Sequence, residues 1–194
     1  LFERTDIKAA QVTQQFVQEL LCDAFGYASL SAGETLHVNQ RQYPVNLIAG
    51  HVPVIVAPFS LGLDDTDTQF AIEGSGSRKK SAFQLAQELL NASDDHLWAI
   101  VSNGRQLRLL RDAASLTRPS FLEIDLEDVL QGQRFSEFAM LWRLLHASRA
   151  GITDKPEHSI WESWRDAGKQ EGSRVREGLR LGVEQALLTL GEGF

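Results

Sequence analysis

Ser81–Asp112 reads SAFQLAQELLNASDDHLWAIVSNGRQLRLLRD, and its punctuation decides the fold. Ser81 followed three residues later by Gln84 forms a capping box: the serine oxygen accepts from the Gln84 amide while the glutamine side chain reaches back to the cap. That box predicts a helix to about Asn91 burying Phe83, Ala86, Leu89 and Leu90. Leu97–Val101 and Gln106–Leu110 are apolar runs of strand length. They flank Ser102-Asn103-Gly104, where Asn-Gly readily supplies the positive φ of a tight turn.

Working outward, Tyr43–Ala49 and Val52–Phe59 are β-branched-rich runs joined by Gly50-His51, which predicts a hairpin. Pro53 and Pro58 lack backbone donors and place the second run at an end or edge of the sheet. Asp6 is the expected cap of a helix to Phe25, stopped by Gly26. Residues 28–42 read as loop with a short strand at Leu36–Gln40, and residues 60–80 as a polar, mobile loop. Phe121–Ile124 adds a strand, and Leu126–Leu130 is helix-prone. Ser136 is the expected cap of an amphipathic helix to Arg149. Residues 159–190 read as a long helix in which Gly168, Gly172, Gly178 and Gly182 predict a break or close helix packing. Its apolar stripe comprises Trp161, Trp164, Val175, Leu179, Val183, Leu187 and Leu190. The sum is an α/β (α+β) fold, a mixed central sheet flanked by helices with a C-terminal helical extension.

The 194 residues suit one domain plus an appendage, and 43% apolar residues suffice for a core. A net charge of -7 gives no polybasic tail, although nucleic-acid binding depends on local patches. Cys22 is the only cysteine, which leaves no disulfide framework or cysteine-based zinc site within the chain and suits a cytoplasmic protein. No apolar run approaches the ~20 residues of a membrane span. The ends, LFERTDIKAA and LLTLGEGF, read as the limits of a piece of something larger.

Three patterns bear on chemistry. Asp64, Asp65, Asp67 and Glu73 offer carboxylates without calcium-loop spacing, so solvated loop acids are the expectation, with Asp64 and Glu73 the weak alternative for a metal. The five histidines include no pair at ligand spacing, and His146 is expected to pack or cap. Gly74–Lys80 lacks the spacing of a phosphate loop. Arg105, Arg108 and Arg111 recur every three residues, and Arg118 follows on a loop. On a strand that interval sets Arg105 and Arg111 on one face and Arg108 on the other. Two readings stand side by side: phosphate contacts on duplex DNA, or a solvated edge strand protected by charge.

WAIVSNGRQLRLLRD (98–112), SLTRPSFLEIDLEDVL (115–130) and FAMLWRLLHASR (138–149) resemble the N-terminal region of large bacterial adenine-specific DNA methylases, the type IIG-like restriction–modification and phage-defence proteins. The resemblance covers residues 80–194 well and the first 80 weakly. It implies a restriction-endonuclease-like, PD-(D/E)xK domain over residues 1–134, with a helical extension over 135–194 leading to methylase domains. It also implies that the first metal-site acid falls near Asn46, the Glu-x-Lys on Ile55-Val56-Ala57, and the helix glutamine on Gln84 or Gln87. An amide and alkyl groups cannot hold magnesium or activate water, so the expectation is a degenerate nuclease-like domain with no catalytic residue. S-adenosylmethionine would bind elsewhere in the parent, since neither an Asn-Pro-Pro-aromatic tetrad nor a glycine-rich cofactor loop occurs here. The expected role is engaging double-stranded DNA through Arg105, Arg108, Arg111, Arg118 and Gln84, or docking against the parent's other domains or defence proteins. An inter-domain or oligomerisation module and an active magnesium-dependent endonuclease are the alternatives.

Overall fold

The computed structural model describes residues 9–111 and 121–192. The expected Asp6 cap and Arg118 lie outside these residues. A six-stranded mixed sheet organises the rest. Its strands are β1 (Ser31–Ala32), β4 (Leu47–Ala49), β5 (Val52–Val56), β6 (Trp98–Ser102), β7 (Gln106–Arg111) and β8 (Phe121–Asp125), adjacent in that order. A separate hairpin pairs β2 (Leu36–Val38) with β3 (Arg41–Tyr43). Helix α2 (Ala82–Ala92) carries the chain from β5 to β6, the one parallel neighbour pair, and every other neighbour pair is antiparallel. A crossover of that length is what parallel pairing requires.

Alternation along the strands builds two cores. Val54, Val56, Ile100, Leu107 and Leu109 face α1 (Ala9–Glu19) and its π-helical continuation Leu20–Ala24, together with α4 (Phe135–Leu145) and α5 (Ala147–Ala150). Ile55, Ala57, Ala99, Val101 and Leu110 face α2 and the segment carrying Leu63, Phe70 and Ile72. Side chains two apart share a face, so each strand feeds both layers.

Several local expectations need correction. β5 is central and buried along its whole length. Pro53 is tolerated there because pairing with β6 begins only at Val54, and Pro58 lies past the strand end. The 60–80 loop is pinned into the core by Leu63, Phe70 and Ile72, each no more than 2% exposed. The β2–β3 turn uses Asn39 and Gln40 at φ 50° and 64°, a left-handed pair without glycine. The helix expected over 136–149 breaks at His146, whose extended backbone (ψ 138°) ends α4 and whose Nδ1 accepts from the Ser148 amide to cap α5. Ser136 is no cap: its hydroxyl donates to Glu137.

The domain boundary at 134 also moves. Leu141, Leu145, Ala147, Ala150 and Trp161 belong to the same core as the sheet, so the helices after α3 (Leu126–Gln131) are part of the body. What stands apart is the outer part of α6 (Ile160–Glu192), an unbroken 33-residue helix with no break at its glycines. Residues 166–191 are all exposed, and a Cβ added at Gly168, Gly172, Gly178 or Gly182 would meet nothing. Among the described residues, no helix is long and apolar enough to cross a membrane.

Candidate functional site

The hairpin on which the resemblance places a degenerate metal site is built from β4 and β5 across Gly50, at φ 57°. Asn46, just before β4, ties neighbouring strands of the sheet together. Its side-chain oxygen accepts from the Val56 amide at 2.8 Å, and its carbonyl accepts from the Gly33 amide at 2.8 Å. Ile55 and Ala57 are fully buried and Val56 nearly so. Gln84 is consumed locally: its side-chain oxygen accepts from the Ser81 amide while Ser81 Oγ accepts from the Gln84 amide. Among the described residues, no group of three or more His, Cys, Asp or Glu side chains is placed to hold a metal.

The arginines divide between faces as their spacing predicts, but two of the three are drawn inward. Arg108 is 7% exposed and lies between the rings of Phe83 and Phe121, its guanidinium 5.0 and 4.7 Å from their centroids. It donates two bonds of 2.7 Å to the Asp64 carboxylate and one of 2.6 Å to Glu123. Hydrogen bonding to Arg108 holds the Asp64 carboxyl below its usual range. Asp64 is thereby committed to an ion pair, while Glu73 is exposed and its backbone bridges Gln42.

Arg111 points to the other face and fastens α6. It donates to both Glu162 oxygens, at 2.8 and 3.0 Å, and Trp98 Nε1 donates to the same carboxylate at 2.7 Å. Burial pushes the Glu162 carboxyl up, but the bonds and charge of Arg111, with Trp98 and Arg165, outweigh it and hold the group below its ordinary value. Trp161 packs on Trp98 at 5.4 Å between centroids and donates to the Leu144 carbonyl. Arg108 and Arg111 are therefore internal ties, not exposed phosphate contacts. A charge in the middle of a central strand is stable only when paired.

Arg105, its side chain 44% exposed, remains at the surface with Glu127 3.3 Å away. It borders a 290 Å³ polar hollow whose rim includes Asp125 and Glu127, charges that repel phosphate. Asn103 shapes that turn, its side-chain oxygen accepting from the Arg105 and Gln106 amides.

The most distinctive surface is apolar. A groove of about 840 Å³ runs between β8, α4 and the start of α6, lined by Leu122, Ile124, Val129, Met140, Leu144 and Trp164. Trp164 is 45% exposed and Met140 69%. Farther along α6, Val175, Leu179, Val183, Leu187 and Leu190 are each between 55% and 67% exposed. The opposite helix face is mixed, with Arg180 bonded to Glu177 and Glu184 and with Leu181 and Leu188 exposed. The sequence stripe pointed to this surface. The groove was not legible, because β8 and α4 meet only in the fold. No family model matches the chain, and neither a curated protein nor a solved structure shows a significant match.

Proposed function

We propose that this chain is a docking domain, an α/β body that holds out an apolar helix, on the N-terminal side of a DNA adenine methylase of a restriction–modification or phage-defence system. It does not itself cleave DNA in this reading. One observation carries the docking assignment: 26 consecutive residues of α6, 166–191, are exposed and present an apolar stripe on the helix whose Trp164 lines an apolar groove. Exposed apolar surface of that extent marks an interaction site. The parentage is supported by the sequence blocks at 98–149, and loss of cleavage by the amide and alkyl groups at Asn46 and Ile55–Ala57.

Hydrogen exchange tests the assignment. Amides of residues 166–192 exchange quickly in the isolated chain at low concentration and are protected in the intact parent protein; equal, fast exchange in both would remove the docking reading. Supercoiled plasmid stays intact with magnesium, and cleavage lost on Asp64→Ala would promote the endonuclease alternative. Direct DNA engagement is the second reading, favoured by exposed Arg105 beside the turn and by Arg78 and Lys79 on their loop. A salt-sensitive duplex affinity that falls on reversing Arg105 would support it.

A further inference from the structure

We infer that the partner fitted by the α6 stripe is a second copy of this chain, packed antiparallel so that each helix tip reaches the other copy's groove. This deepens the docking reading and rests on it. The first observation is a symmetry in the sequence. From Trp164 to Leu190 the eight positions that share one arc of about 80° on the helix are all small or apolar, and their sizes run bulky, small, small, bulky, bulky, small, small, bulky, the same read in either direction. A two-fold axis near residue 177 then sets Trp164 opposite Leu190 of the second copy, Gly168 opposite Ala186, Gly172 opposite Gly182 and Val175 opposite Leu179. Bulky residues meet at the ends and centre, and glycines face glycine or alanine between them, allowing the backbones to approach. Such a self-complementary patch is what an isologous two-fold interface requires.

The second observation excludes the parallel alternative. Trp161 lies in the same helical arc and is 1% exposed, buried in its own body. The body therefore occupies the stripe side of α6 at its base, where a parallel helix would need to place its own base. An antiparallel helix brings only its tip to that level, with Leu190 arriving at Trp164, the wall of the groove. The outer 27 residues span ~40 Å, and at an axis separation of ~8–10 Å the strip has a plan area on the order of 400 Å². Filling the groove extends it toward the ~800 Å² per partner of a stable interface. Packing in this way sets Arg176 beside its own symmetry mate at the rim, where like charge weakens the pair and solvent screens it. Val183 lies at the rim of the arc, whereas Leu181, Leu187 and Leu188 face away from it and take no part.

Sedimentation velocity and cross-linking decide the matter. The chain sediments as a dimer at micromolar concentration. Gly172→Leu improves helix propensity yet weakens the dimer at least tenfold, so its effect cannot come from unfolding, and Arg176→Ala tightens the dimer severalfold. In a Cys22→Ala background, V175C and L179C copies mixed together form a disulfide-linked heterodimer, whereas G168C alone forms no homodimer. A monomer at every accessible concentration overturns the second copy as occupant. If α6 is nevertheless protected in the parent, docking survives with another partner, whereas an unprotected α6 removes both readings. Efficient G168C homodimers would overturn the antiparallel arrangement.

Discussion

Trp161 and Leu187 sit on one helix, 26 residues apart, yet the first is 1% exposed and the second 64%. The base of α6 and its outer length share a helical backbone and a recurring apolar face, and differ only in what covers that face. The base is fixed by three residues from three elements: Trp98 stacks, Arg111 and Trp98 bond Glu162, and Leu144 accepts from Trp161. Among the described residues, the outer length shows only intrahelical pairs. Periodicity thus specifies a face and leaves its occupant open.

The comparison is most easily broken at the base. Glu162→Ala removes the buried carboxylate that Arg111 and Trp98 share, so chemical denaturation should show a loss of about 3–5 kcal/mol; a loss below 1 kcal/mol would mean that the body does not hold the helix. Asn46→Ala leaves the Val56 amide without its acceptor and should cost about 1–3 kcal/mol, whereas Asn46→Asp, which can still accept, should cost less. The body should also be the acid-labile part. The Glu162 and Asp64 carboxyls are held below their usual range when folded. The unfolded chain therefore takes up protons at higher pH than the folded one. The stabilisation is complete above the ordinary carboxylate range, about pH 4 to 4.5, and disappears as pH falls through the lowered folded values. Tryptophan fluorescence in an acid titration should report loosening at Trp98 and Trp161. At the small end, Leu187→Glu should change the body's stability by less than ~0.5 kcal/mol, because the side chain buries nothing. A larger effect at low concentration would show that the outer helix folds back onto its own body.

The parts of this fold legible in the sequence are those whose signals are local. Ser81 and Gln84 form the capping box their spacing announces, and Gly50 turns the β4–β5 hairpin. Even the split of the arginines between faces follows from strand periodicity. What each arginine does was hidden, because Asp64 is 44 residues from Arg108 and Glu162 is 51 from Arg111. One hint was available: Leu107, Leu109 and Leu110 surround Arg108 closely enough to suggest a buried strand, and a buried arginine demands paired acids. The Asn39-Gln40 turn escaped notice because it adopts left-handed geometry without glycine. The break at His146 depends on that residue's own ring capping the next helix, a choice that the amphipathic pattern across 136–149 conceals.

The tie between β7 and the first turn of α6 also has a mechanical meaning. A straight helix carrying ~40 Å of length beyond its anchor is a lever, and a tilt of about 10° at the anchor sweeps the tip through roughly 7 Å. Small rearrangements around one carboxylate would therefore be read out, magnified, far from the sheet.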